Sequence, residues 1–177
     1  HVFFVPVIIQ RAMLEMEKLG IKRILTHGEK AAAYMADGYA RASHKIGVCG
    51  AQNVGAANLA AGLQDPFLGG SPVLALTGRK ARIGQHRNSY QEVDHLRPFS
   101  AVTKYSVPVD SAEQLPFLLR QALREATSGA PGPVHLDLEG ESGNVVMEGV
   151  ANLEVIIDEI FTRVPAYRPE PEAEMIR

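Results

Sequence analysis

The sequence predicts an α/β protein with a doubly wound, mainly parallel sheet of about six strands and helices on both faces. Three observations lead there. Short apolar runs alternate with longer stretches of helical periodicity, the order expected of repeated βα units. The runs are continuous rather than alternating, which suits strands buried on both faces. Glycine, proline, serine and asparagine punctuate the switches between them.

The elements follow in order. Val2 to Val7 reads as a first strand and Ile8 to Leu19 as a helix stopped by Gly20. Ile21 to Leu25 is a second strand, and Glu29 to Ala42 the next helix. Ala32, Ala33, Ala36 and Ala40 share one face of that helix, so its axis can approach a neighbour closely. Asp37 and Arg41 are spaced to pair. Gly38, costly inside a helix, suggests close packing around it. Ile46 to Ala51 is a buried strand, Gln52-Asn53-Val54-Gly55 a turn, and Ala56 to about Leu63 a helix. Pro72 to Thr77 is the next strand. Arg79 to Pro98 has weak periodicity and reads as a long loop, a feature often tied to function. Thr103 to Val109 is a strand, Ser111 caps a helix through Ala126, and Val134 to Leu138 is the last strand.

The tail divides from this unit. Residues 1–148 form the expected domain and 149–177 an appendage. Within the appendage, Asn152 caps an amphipathic helix bearing Leu153, Ile156, Ile157, Ile160, Phe161 and Val164, expected to dock on its own domain. Prolines and glutamates after it suit a semi-extended linker. A start at His1, already inside a strand, reads as a piece of something longer.

Composition narrows the function. Of 177 residues, 46% are hydrophobic, enough for a sizeable core, and the net charge of −2 implies neither nucleic acid nor an anionic membrane as partner. No apolar segment has the length of a membrane span. The single cysteine, Cys49, lies in an apolar run; it reads as a small core residue and fits a reducing, cytoplasmic setting. Gly50 to Gly55 has the glycine spacing of a phosphate loop, but Ala56 stands where lysine is needed. No GxGxxG follows a strand, the histidines lack paired zinc-ligand spacing, and no G-x-S-x-G elbow occurs.

Three features remain. Glu29 sits where a strand becomes a helix, the usual place for a functional group in an open α/β sheet. On local pattern alone, a first-turn residue complementing the helix dipole is the favoured reading. The Gln52–Gly55 turn ends the following strand. The long loop carries Arg79, Lys80, Arg82, His86 and Arg87, either a solvated face or a group that steers an anion.

The run from Glu29 to Arg41, EKAAAYMADGYAR, resembles the pyrimidine-binding domain of thiamine-diphosphate enzymes of the acetolactate synthase and 2-oxo acid decarboxylase group. Ala56-Ala57-Asn58-Leu59 with Gly62-Leu63, the strand Pro72 to Gly78, Tyr90-Gln91-Glu92-Val93-Asp94, and Pro131-Gly132-Pro133-Val134 extend the resemblance in register. It implies that Glu29 hydrogen-bonds N1′ of the cofactor's aminopyrimidine and promotes loss of the thiazolium C2 proton, so that the cofactor can attack a 2-oxo acid and accept electrons. For this the glutamate must hold or share a proton, which burial against a partner subunit favours and the helix N-terminus opposes. It implies that Gln91 polarises substrate, that Tyr90 lines the pocket, and that Gln52, Asn53, Val54, Gly55 and Asn58 join Glu29 in binding thiamine diphosphate. Mg²⁺ and the diphosphate are implied to be held by a separate domain of a second subunit, in a homo-oligomer (dimer or tetramer). The matching sequence departs in places: Gln52–Gly55 replaces a turn resembling SGPG, Tyr90 a phenylalanine, and Arg79 a glutamine. These departures bear on which 2-oxo acid is used. A domain that keeps the fold but serves assembly or regulation is the alternative.

Overall fold

The computed structural model describes residues 1–6, 10–139, 158–167 and 170–176. Six parallel strands form one sheet: β1 (Val2–Phe4), β2 (Arg23–Leu25), β3 (Gly47–Gln52), β4 (Val73–Arg79), β5 (Tyr105–Val109) and β6 (Val134–Glu139), in the order β2-β1-β3-β4-β6-β5. Five α-helices connect them: α1 (Gln10–Lys18), α2 (Glu29–Ser43), α3 (Gly55–Gly69), α4 (Leu96–Ser100) and α5 (Leu115–Thr127). The doubly wound, parallel architecture is as the sequence predicts.

Alternation along the strands separates two cores. On one face Phe3, Cys49, Ala51, Val73 and Ala75 meet Ala32, Ala33 and Ala36 of α2, Leu59 and Leu63 of α3, and Phe99 of α4. On the other, Val2, Leu74, Leu76, Val109, Leu136 and Leu138 meet Met13 of α1 and Ala122 and Ala126 of α5. Cys49 is fully buried, and burial pushes its thiol well up, so it is an inert core residue.

The alanine stripe of α2 does what its spacing predicts. All four alanines are buried, and α3 lies directly against them. The backbones approach closely at Gly62, where an added Cβ would stand 2.7 Å from Ala33 Cβ and 2.8 Å from the Lys30 carbonyl oxygen. Arg41 Nε donates to Asp37 Oδ1 at 2.8 Å. Gly38 corrects the expectation of close packing: it is exposed, and a Cβ there meets nothing within 4 Å. It faces away from α3, and the packing glycine is Gly62 instead.

Other boundaries differ for physical reasons. Helix α3 runs past Leu63 and through Pro66 to Gly69, ending at Gly70 in the left-handed region (φ 66°). Both Leu63 and Pro66 are buried, so tertiary packing outweighs the lost amide. The loop expected through Pro98 gives way to α4. Pro98 occupies the third position of that helix, where no intrahelical N–H partner is due, and Phe99 anchors it by full burial. Ser111 makes no side-chain cap; a 3₁₀ turn at Ala112–Gln114 leads into α5 instead. Pro108 lies in β5, which pairs with β6 alone and is therefore an edge where a missing N–H is tolerated.

The domain boundary at 148–149 and the helix positions 152–157 lie outside the described residues. The described part of that predicted helix forms only a 3₁₀ turn, Glu159–Thr162, followed by extended Arg163. Pro165 opposes helical backbone in the residue before it. This segment lies along α5: Arg120 Nε donates to Asp158 Oδ2 at 2.7 Å, the Arg124 guanidinium sits 5.2 Å from the Phe161 ring centroid, and buried Ala166 donates its N–H to the Thr127 carbonyl at 3.2 Å. Among the described residues, no helix is long and apolar enough to cross a membrane.

Candidate cofactor site at the sheet switch point

Strands β1 and β3 are neighbours, yet β1 connects to β2 on one side and β3 to β4 on the other. Their carboxyl ends therefore flank the topological switch point, where open α/β sheets bind ligands. The turn after β3 is Gln52–Gly55, and α2 delivers Glu29 against it.

Glu29 is the first residue of α2, and the preceding cap, Gly28, is extended (φ −172°). The half-buried carboxylate lies across Gly55, where an added Cβ would stand 3.0 Å from Glu29 Cδ and 3.2 Å from Cγ. Asn58 Nδ2 donates to Glu29 Oε2 at 3.3 Å. One helical turn of α3 thus provides both the gap that admits the carboxylate and a donor that orients it. Three of the predicted site residues, Glu29, Gly55 and Asn58, form one contact cluster.

The rest of the turn surrounds that cluster. Asn53 is buried with φ 47°, donates its N–H to the Gly78 carbonyl at 2.9 Å, and aligns β3 with β4. Val54 is 45% exposed at the start of α3, an apolar surface beside Gly55. Gln52 is half-buried with its side chain alongside Gly78.

Tyr90 and Gln91 form a second group. Both are exposed, and Gln91 Nε2 donates to Tyr90 Oη at 3.2 Å. Their loop is tightly self-bonded. Glu92 accepts the His86 N–H at 2.6 Å and the Ser89 N–H at 3.3 Å, and Ser89 Oγ donates to the Gly84 carbonyl. His86, Asn88 and Gln91 all have left-handed backbone, so these bonds hold an otherwise unfavourable course.

Glu92 gives this loop a pH dependence. The His86 N–H holds the Glu92 carboxyl below its ordinary value of 4.5; slight burial opposes this and the Ser89 N–H adds to it. A depressed folded value means the contribution is fully present above about pH 4.5 and is lost as pH falls through that lower value. E92Q is expected to speed amide exchange at His86 and Ser89 several-fold at pH 7, with the gap to wild type closing in acid. Equal protection at pH 7 would show that the carboxylate does not hold the loop.

The basic cluster is not a bare positive face. Arg79 is 11% exposed and ion-pairs with Asp110; its Nε lies 3.5 Å from Asp137 Oδ2, and Glu139 is 3.7 Å away. Arg82 adds a second contact to Asp110 at 3.1 Å. These groups border a cleft of about 350 Å³ with His86, Asp94 and His95, so its lining mixes both signs of charge.

Sequence reasoning missed a buried polar chain behind the turn. His95 Nδ1 lies 2.8 Å from Asp137 Oδ1, and His95 Nε2 lies 2.9 Å from the Asn53 carbonyl oxygen. Thr77 Oγ1 donates to Asp137 Oδ1 at 2.6 Å and lies 2.6 Å from His135 Nε2, while Ser106 Oγ lies 2.8 Å from His135 Nδ1. The available signal was two polar residues, His135 and Asp137, in a strand whose neighbours leave no solvent face.

A family model described as "Thiamine pyrophosphate enzyme, N-terminal TPP binding domain" matches residues 1–97. The probable acetolactate synthase large subunit of Methanocaldococcus jannaschii is 38% identical over 148 residues, covering 83% of this chain and 24% of that protein. The acetolactate synthase isozyme 2 large subunit of Escherichia coli is 43% identical over 67% of this chain and 22% of its own length. The mitochondrial acetolactate synthase catalytic subunit of Saccharomyces cerevisiae is 39% identical over 65% of this chain and 17% of its own. The chain belongs to the thiamine pyrophosphate enzyme family and carries its N-terminal cofactor-binding domain. It spans about a quarter or less of the length of these relatives.

Proposed function

We propose that this chain is the pyrimidine-binding half of a thiamine-diphosphate-dependent lyase or carboligase acting on a 2-oxo acid, as in acetolactate synthase. The observation that carries this reading is the Glu29 carboxylate lying on Gly55 and hydrogen-bonded by Asn58 at the sheet switch point. A carboxylate in a slot that a Cβ would fill, beside the apolar surface of Val54, suits the flat, basic edge of an aminopyrimidine. The residues fit that half of the cofactor. The family resemblance is what supports a division of labour for the other half. On that resemblance, Mg²⁺ and the diphosphate are assigned to a separate domain, contributed by a second subunit of a homodimer or homotetramer.

Thiamine diphosphate, when bound, supplies the nucleophile and electron sink for 2-oxo acid chemistry. The chain's own residues prepare it. Glu29 holds or shares a proton with the pyrimidine ring nitrogen N1′, and Asn58 keeps its other oxygen occupied so that one oxygen faces the ring. The Gln52–Gly55 turn bounds the pyrimidine. Gln91 carries an amide that can donate to the substrate carbonyl, and Tyr90 flanks it. The catalytic unit is assigned to residues 1–148, with 149–177 as an appendage leading out of it.

Calorimetry tests the division of labour. The full-length protein is expected to bind thiamine diphosphate in a Mg²⁺-dependent manner, and the 177-residue chain alone weakly or not at all. Tight, Mg²⁺-dependent binding by the isolated chain would overturn it.

A further inference from the structure

We propose that His95 is a positioning residue for this site: braced by Asp137, it fixes the Asn53 carbonyl and so holds the turn that seats Gly55 against Glu29. The proposal deepens the reading of that turn as the cofactor's pyrimidine cradle, and rests on it for its functional meaning.

Asn53 has an outside restraint. Its left-handed backbone is uncommon for a residue with a Cβ, and the turn it makes sets the direction in which α3 departs. Its carbonyl oxygen accepts twice, from the Ala56 N–H at 2.9 Å and from His95 Nε2 at 2.9 Å. The first bond belongs to the turn itself. The second reaches it from a distant part of the chain, and a carbonyl only accepts, so His95 Nε2 carries the hydrogen.

His95 can act as a fixed post because it is itself held. It is 2% exposed, and its Nδ1 meets Asp137 Oδ1 at 2.8 Å. Asp137 is 2% exposed and is bound in turn by Thr77 on the adjacent strand. Thr77 spends its one hydrogen on Asp137, so it accepts from His135 Nε2, and His135 Nδ1 accepts from Ser106 Oγ. Burial pushes His135 down to about 3, in keeping with a neutral ring that has one donor and one acceptor nitrogen. Phe99 stacks on that ring at 3.7 Å between centroids. The chain of bonds thus crosses β5, β6 and β4 and ends on the turn after β3.

The test uses two variants of the full-length protein. H95N keeps a polar atom within reach of Asp137 but stops short of Asn53; H95Q keeps a donor near the position of Nε2. Amide exchange is read at Asn53, Ala56 and Ala57 without cofactor, and thiamine diphosphate affinity is read by calorimetry with Mg²⁺. H95N is expected to speed exchange at the turn about tenfold or more while the amides of β4 keep their protection, and to weaken cofactor binding in parallel. H95Q is expected to recover most of both. Unchanged exchange at the turn in H95N, or H95Q as damaging as H95N, would overturn the proposal. Should H95N not fold, D137A removes the brace: faster exchange at Asn53 supports the proposal and unchanged exchange overturns it. A wild-type protein that binds no thiamine diphosphate sinks the cradle reading instead, while exchange at Asn53 still decides what His95 holds.

Discussion

Replacing Glu29 by Gln in the full-length protein is expected to slow C2-proton exchange of bound thiamine diphosphate by about 10²–10⁴-fold, the span usual for loss of a general acid–base group. The substitution is nearly isosteric. A glutamine oxygen can still accept from Asn58, which now lies 3.3 Å from Glu29 Oε2, and the amide is no bulkier over Gly55. Fold and cofactor affinity should therefore change little, because the variant loses only the ability to hold and return a proton. NMR-detected deuterium exchange at C2 reads this step directly, before any 2-oxo acid is added. Unchanged exchange would remove Glu29 from the proposed chemistry and leave it a helix-terminal residue.

A large effect on stability is expected at Gly62. Changing it to Ala places a methyl 2.7 Å from Ala33 Cβ and 2.8 Å from the Lys30 carbonyl oxygen. One neighbour is backbone and the other is the first atom of a side chain, so neither can rotate away. Overpacking of this kind costs about 1–3 kcal/mol or somewhat more, whereas alanine's better helix propensity returns at most about 1 kcal/mol. The clash wins, with an expected net loss of about 2 kcal/mol, read as a lower denaturation midpoint at constant m. A midpoint equal to wild type would show that α2 and α3 separate freely. Any such separation also moves Asn58, one turn before Gly62, away from Glu29, so stability and cofactor affinity should fall together.

Much of this arrangement was legible in the residues. The βα alternation fixed the fold class, and the alanine stripe of α2 located the tight helix pair. Glu29 stood out by position and became interpretable through the motif that follows it. Gly38 misled, because an interior glycine signals either close packing or nothing, and only the neighbour's position distinguishes them. His95 and Asp137 are 42 residues apart, and no local pattern links them. Their pairing depends on where the segment after β4 folds over β6, and parallel crossovers hide such placement from sequence. Arg79 was misread for the same reason: its carboxylate partners come from Asp110 and from β6. Local periodicity reports burial, whereas buried polar contacts are written in the topology.

The two margins of the sheet also bear on how the protein behaves in a crowded solution. At one margin β2 offers only three residues, Arg23–Leu25, and at the other β5 carries Pro108. A short strand and a strand with a missing N–H are both poor templates for a further chain. Growth of the sheet by strand addition, the route to amyloid-like stacking, is discouraged at each end. Association with other polypeptide is thereby directed away from the backbone margins and toward helix faces and loops, where side chains rather than main-chain hydrogen bonds choose the partner.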